Sequence, residues 1–136
     1  MNPKEKSNML AVSVVVVNED GRVLLRKRQK SPDEGKWELF ASYPYLDEVP
    51  LEKAARRILK EKAGVDGALS ITFSGKIYDA PDRHTGSVCV PLAFIARISQ
   101  DVKVSDKLKW FSAAEIKDLP MALDNKRTLT DLGLMK

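Results

Sequence analysis

Two arginines and a tryptophan stand at loop positions where their chemistry would suit a phosphate-bearing ligand. Arg28 follows an apolar stretch near the start of the chain, and Arg83 lies in the polar loop 81–86. A guanidinium group offers a fixed fork of donors for two phosphate oxygens, so both are candidate phosphate contacts, although each also suits an ordinary surface charge. Trp37 offers a ring on which adenine could stack, but aromatic residues in such loops serve the core at least as often.

The other reactive side chains are few. His84 is the single histidine, and in its polar loop it is a candidate base near neutral pH. Cys89 is the single cysteine and stands within an apolar stretch, which favours an inert core residue. It allows neither an internal disulfide nor a cysteine metal cluster, so a reducing, cytoplasmic setting is expected.

Composition predicts one globular domain over residues 1–136. Of these residues 43% are hydrophobic and 31% are charged, which suits one core. Lys and Arg number 23 against 19 Asp and Glu, a net charge of +4. This mild excess suits a phosphate-bearing small molecule but falls short of the concentrated basic face of a nucleic-acid-binding protein. The longest apolar run, 9–17, is too short to span a bilayer, so no membrane role is expected.

A loop and a helix within Trp37–Val65 are the elements expected to position this chemistry. Pro50 suits a first helical turn, because its missing N–H would be unpaired there, and Gly64 suits the left-handed position after a last turn. The pattern predicts a helix from Pro50 to Ala63 with one buried face. Its apolar residues recur at helical spacing: Leu51, Ala54, Ala55, Ile58, Leu59 and Ala63.

The rest of the chain predicts a mixed sheet with helices. The β-branched stretch 10–17 indicates a central strand buried on both faces, and the turn at 18–22 joins it to a return strand. Two long strands after residue 65 are expected to be antiparallel neighbours, followed by a short strand at Lys107–Phe111. Ser112 and Glu115 have the spacing of a capping box, which predicts a short helix. Several connections are too short for crossover helices, which excludes a purely parallel sheet.

These elements carry residues that resemble the Nudix hydrolase family. The family signature ends in Arg-Glu-apolar-x-Glu-Glu-x-Gly-apolar, and the segment 57–65 of this chain, RILKEKAGV, keeps the Arg, one Glu and the closing Gly-Val. Ala54-Ala55 before the motif, Trp37 at its entry and Trp110-Phe111-Ser112 near the end extend the similarity over nearly the whole chain. The resemblance implies an α/β fold: a Nudix-type α/β/α sandwich with a mixed β-sheet.

The motif departs from the family where the family binds metal. Three Glu at i, i+3 and i+4 of the helix hold Mg²⁺ against a diphosphate in the family, and here those positions carry Ile58, Glu61 and Lys62. Glu61 is the candidate metal ligand that the resemblance leaves, with Glu48 of the loop as its expected catalytic helper. Lys62 could instead hold a phosphate through its ammonium group. Both Glu61 and Lys62 also suit plain solvent-exposed charges.

The loop 78–86, YDAPDRHTG, is similar to one in the ADP-ribose pyrophosphatase-like branch. The resemblance therefore implies a nucleoside diphosphate linked to another group, ADP-ribose first, as the ligand. Hydrolysis would be a Mg²⁺-assisted attack of water, and the degenerate motif predicts that it is weak or lost. The alternative is a non-catalytic ADP-ribose-binding sensor or partner module. A ligand-free structural or dimerising unit is the third reading, and a homodimer is compatible with all three.

Overall fold

The computed structural model describes residues 10–30, 33–68, 70–77, 80–81, 88–122 and 125–134. Its central strand is β1 (Leu10–Val17), as the β-branched run predicted. One edge of β1 pairs in parallel with a later strand, and the other pairs with two antiparallel strands. The strand from Val12 to Val17 is buried on both faces because helices cover both sides of the sheet.

Eight strands are found among the described residues, and they form one mixed sheet. The predicted antiparallel pair after residue 65 is confirmed, because β5 runs antiparallel to β7. The last strand begins at Leu108, one residue later than predicted. After β1, the strands are β2 (Val23–Lys27), β3 (Trp37–Glu38), β4 (Phe40–Ser42), β5 (Ser70–Ile77), β6 (Ala80–Pro81), β7 (Val88–Arg97) and β8 (Leu108–Phe111).

The hairpin between β1 and β2 is held by its own turn residues. The Asn18 side chain accepts hydrogen bonds from the N–H groups of Asp20 at 3.0 Å and Arg22 at 2.9 Å. Gly21 takes φ 77°, a left-handed value that costs glycine little. The turn thereby sets the antiparallel register in which Val17 lies opposite Val23.

Helix α1 (Glu52–Ala63) begins two residues later than predicted. Pro50 precedes the helix rather than lying in its first turn, because its carbonyl accepts from Lys53 in a turn and Leu51 is the N-cap. The predicted end is confirmed: Gly64 caps the helix in the left-handed region at φ 69°.

Two core layers lie on opposite faces of the sheet, because successive residues of β1 alternate between them. Val12, Val14 and Val16 pack with α1. Val15 and Val17 pack with α2 (Ala113–Lys117) and α3 (Asn125–Asp131). This arrangement is the predicted α/β/α sandwich. No described helix has the length and apolar character needed to cross a membrane.

Candidate functional site

Arg57, a mostly buried residue of α1, is the centre of the site. Its Nε donates to Glu48 Oε2 at 2.9 Å and its Nη2 donates to Glu48 Oε1 at 3.0 Å, a bidentate pair. The two side chains are only 15% and 12% exposed, so water screens the pair weakly. The hydrogen bond that Arg57 donates to Glu48 raises the pKa of Arg57, against the opposing effect of burial.

The same guanidinium fastens the loop before α1 to the helix. Arg57 Nη2 also donates to the carbonyl of Tyr43 at 3.1 Å, and its central carbon lies 4.4 Å from the centre of the Tyr45 ring. Glu48 Oε1 accepts a further hydrogen bond from the Tyr45 N–H at 2.7 Å. The loop is therefore held in one arrangement by charge, hydrogen bonding and ring stacking together.

The three helix positions at which the family signature has Glu carry side chains in three different environments. Ile58 is fully buried and packs in the core under α1. Glu61 is 52% exposed, and its Oε2 accepts from Arg57 Nη1 at 3.2 Å. Lys62 reaches across to β4, where its Nζ donates to the carbonyl of Ala41 at 2.6 Å.

The residues present do not fit a Mg²⁺ ion. Magnesium needs an octahedral set of oxygen ligands, usually with one or two carboxylates free to bind it. Glu48 and Glu61 both accept hydrogen bonds from Arg57, and Ile58 supplies no oxygen. Within the described part of the chain, no three His, Cys, Asp or Glu side chains group closely enough to hold a metal ion.

Arg28 is packed into a second ion-pair cluster rather than joining the first. Its Nη1 donates to Glu38 Oε1 at 3.1 Å and its Nε donates to the carbonyl of Lys30 at 3.0 Å. The Arg28 side chain is 12% exposed and that of Glu38 is 5% exposed. Arg26 lies on the other oxygen of Glu38, with Nε 3.5 Å from Oε2. Arg28 thereby joins the carbonyl of Lys30 to Glu38 of β3.

Trp37 lies in the core layer opposite α1. Its ring is 7% exposed and meets Phe111 edge-on, with the ring centres 4.8 Å apart. The N–H and carbonyl of Trp37 bond the chain at Pro120 and Ala122. Trp37 therefore has little exposed surface on which adenine could stack. In this structure its side chain packs in the core.

Arg83 and His84 lie outside the described residues, so their predicted roles have no structural counterpart here. Of the candidate site residues, the structure brings Glu48 and Glu61 together at Arg57 and places Lys62 against Ala41 of β4. It places Arg28 and Trp37 elsewhere.

Sequence reasoning did not single out Arg57 or Glu38. The signal for Arg57 was available, because the family signature has a Glu upstream of its Arg, and one extra loop residue places Glu48 there. Glu38 gave no comparable signal, since a Glu beside a buried tryptophan in a short strand is typical of an exposed charge.

The NUDIX domain family model matches residues 7–132. The chain belongs to the NUDIX family. Its α/β/α sandwich, the loop that leads into α1 and the Gly64 cap are therefore the NUDIX fold and motif in this sequence.

Relatives and solved structures agree with this assignment. The ADP-ribose pyrophosphatase of Methanocaldococcus jannaschii is 25% identical over 118 residues, which cover 85% of this NUDIX chain and 68% of the relative. The NUDIX domain of Shewanella oneidensis NrtR, solved in complex with ADP ribose, has a TM-score of 0.76 at 24% identity, covering 96% of this chain and 90% of that one. Shewanella oneidensis NrtR complexed with a 27mer DNA has a TM-score of 0.71 at 27% identity, covering 90% of this chain and 59% of that one.

Proposed function

We propose that this NUDIX protein binds a nucleoside diphosphate joined to a second group, with ADP-ribose as the first candidate, and does not hydrolyse it through carboxylates of α1. The observation that carries the proposal is the environment of the three helix positions at which the family signature has Glu. Ile58 there is buried, Glu61 is engaged by Arg57, and Lys62 is bonded to β4.

The ligand class is supported by the relatives. One is an ADP-ribose pyrophosphatase, and the NrtR domain was solved with ADP ribose. In the proposal, Arg83 and Lys62 supply cationic contacts to the phosphates, because both groups donate hydrogen bonds to anionic oxygens. Arg28 and Trp37 have structural roles, since both side chains are engaged within the fold.

Hydrolysis is the second candidate, and the pyrophosphatase relative favours it. Hydrolysis would require carboxylates other than Glu48 and Glu61, which are hydrogen-bonded to Arg57. The loop 78–86 contains Asp79 and Asp82, which lie outside the described residues. The two candidates predict different products and a different need for Mg²⁺, so one set of measurements separates them.

The proposed partner is a small molecule in a reducing compartment such as the cytoplasm. Specific DNA binding is not part of the proposal, because a net charge of +4 falls short of the concentrated basic face expected for a nucleic-acid partner. Absence of a gel shift with duplex DNA at physiological salt is the expected result. Size-exclusion chromatography with light scattering tests whether the protein forms a homodimer.

Calorimetric titration of ADP-ribose in EDTA and in MgCl₂ tests the function. Binding should be seen in at least one of the two buffers, and saturating ligand should raise the melting temperature by mass action. Chromatography of the mixture after long incubation with MgCl₂ should show no AMP. Mg²⁺-dependent AMP release would replace the binding role with hydrolysis, and absence of binding in both buffers would reject the proposal.

A matched pair of variants tests the phosphate contact. Arg83→Gln should weaken ADP-ribose binding about tenfold, because a charge-assisted hydrogen bond is lost. Arg97→Gln removes the same charge from an exposed position on β7 and should leave the affinity within about twofold. Equal affinities for the two variants would remove Arg83 from the binding site.

A further inference from the structure

The ammonium group of Lys62 occupies a fixed position between α1 and β4. Its Nζ donates to the carbonyl of Ala41 at 2.6 Å, although the two residues are 21 apart in sequence. A lysine side chain that bridges two elements in this way has given up rotamer freedom, which solvent-facing lysines keep. The position is also the third of the helix positions where the family signature has Glu, so the cation stands where the signature has an anion.

The carboxylates of Glu48 and Glu61 are hydrogen-bonded to Arg57 rather than to Lys62. Glu48 binds Arg57 through both oxygens, and Glu61 binds Arg57 at 3.2 Å. A single guanidinium therefore neutralises much of the negative charge that would otherwise repel a phosphate or attract a metal ion. Ile58 adds no charge at the position one turn before Lys62.

The whole helix has the same bias. Of its charged residues five are cationic and two are acidic, and the first-turn Glu52 already pairs with Arg56 at 3.3 Å. A helix face that binds a divalent cation needs an excess of carboxylates, whereas an excess of ammonium and guanidinium groups favours an anionic ligand. The charge of α1 thus points to an anionic ligand group.

We infer that Lys62 replaces the divalent metal as the cation that binds the diphosphate, so that ligand binding at this site is independent of Mg²⁺. The inference rests on the proposed function and specifies how its site works. The ammonium contributes a point charge and hydrogen-bond donors to phosphate oxygens, and the Ala41 carbonyl keeps it in position before the ligand arrives. No bond is made or broken in this step.

Three variants of the full chain test the inference, each checked for folding by its melting curve. Lys62→Gln removes the charge but keeps a hydrogen-bonding side chain, and Lys62→Arg keeps the charge. Lys60→Gln is the matched control, since it removes the same charge from the same helix turn, where the Lys60 side chain is 68% exposed. Affinities for ADP-ribose, ADP and AMP are measured in EDTA and in MgCl₂.

The expected result is that Lys62→Gln weakens ADP-ribose and ADP binding about tenfold or more. AMP, which lacks the second phosphate, should lose less affinity. Lys62→Arg should stay within about threefold of the wild type, and Lys60→Gln within about twofold. A purely structural role for Lys62 would instead lower the three affinities by the same factor.

Besides an equal loss of all three affinities, two results would overturn the inference while leaving the proposed function intact. One is wild-type binding that requires Mg²⁺. The other is ADP-ribose binding in EDTA that Lys62→Gln and Lys60→Gln weaken equally. Absence of ADP-ribose binding to the wild type in either buffer would instead reject the proposed function, and the inference with it.

Discussion

Helices α1 and α2 lie on opposite faces of the same sheet, yet they are held there in different ways. Helix α1 has no side-chain N-cap at Leu51. Its Arg57 instead donates hydrogen bonds to Glu48 and Tyr43 of the preceding loop, nine and fourteen residues upstream. Helix α2 has five residues and a complete capping box, in which Ser112 and Glu115 bond each other's N–H groups. It buries Ile116.

The difference shows where the functional constraint lies. In α2 the hydrogen bonds that begin the helix join residues three apart, so neighbouring sequence determines them. In α1 the stabilising contacts come from core packing and from groups brought by the fold. A helix stabilised by such contacts can carry different charged residues on its exposed side while its buried side stays the same. Lys62, at a position where the family signature has Glu, is such a difference.

The largest effect should come from Ile58→Glu, the substitution that restores a family carboxylate. Ile58 has no exposed surface, so the new charge would be buried without a partner. We expect a loss of about 4 kcal/mol or more in unfolding free energy, or failure to fold. Urea denaturation measures it. Ile58→Val should cost only about 1 kcal/mol, and an Ile58→Glu protein as stable as the wild type would contradict the packing of α1.

An intermediate effect is expected from Glu48→Gln. Arg57 would keep its charge in a mostly buried position without its bidentate partner, at a cost of about 2 to 3 kcal/mol. Glu52→Gln, whose pair with Arg56 is about half exposed, should cost about 0.5 kcal/mol or less.

A double-mutant cycle with Arg57→Met completes this test. The double variant should be less destabilised than the sum of the single variants, because neither leaves a buried charge alone when both are changed. Strictly additive unfolding free energies would mean that Arg57 and Glu48 do not interact in solution.

The smallest effect concerns α2. The Ser112 N–H, with the Ser112 hydroxyl second, lowers the pKa of Glu115. The stabilisation by ionised Glu115 is therefore present above the usual Glu pKa of about 4.3 and is lost as the pH falls through the lowered value. Glu115→Gln should lower the melting temperature by about 2 °C at pH 7, and the difference should shrink below about pH 4. A difference that grows in acid would contradict the capping box.

The sequence predicted the elements whose causes are local or periodic. The β-branched run gave the central strand, the Asn18–Arg22 segment gave the hairpin, and the Gly64 cap and the capping box at Ser112 are confirmed. The start of α1 was two residues wrong, because Pro50 suits both a first helical turn and the turn just before one.

The site was harder to predict because its contacts join distant residues. Nothing near Trp37 in the sequence indicates that its ring packs on Phe111, and nothing near Arg28 indicates its pair with Glu38. Charged and aromatic residues in loops have several uses, and only the fold selects among them. The catalytic roles of Glu48 and Glu61, the metal contact of Glu61 and the phosphate contacts of Lys62 and Arg83 remain predictions.

The Asn125 side chain accepts a hydrogen bond from the Leu39 N–H at 2.8 Å, across a separation of 86 residues. Closing so long a loop has a large entropic cost, and such contacts slow folding. During synthesis, the hydrogen bond from Leu39 to Asn125 cannot form until α3 has left the ribosome. The ion pair of Arg57 with Glu48 joins residues only nine apart and can form much earlier. The two ends of the segment between β3 and α1 are therefore expected to become ordered at different stages of translation.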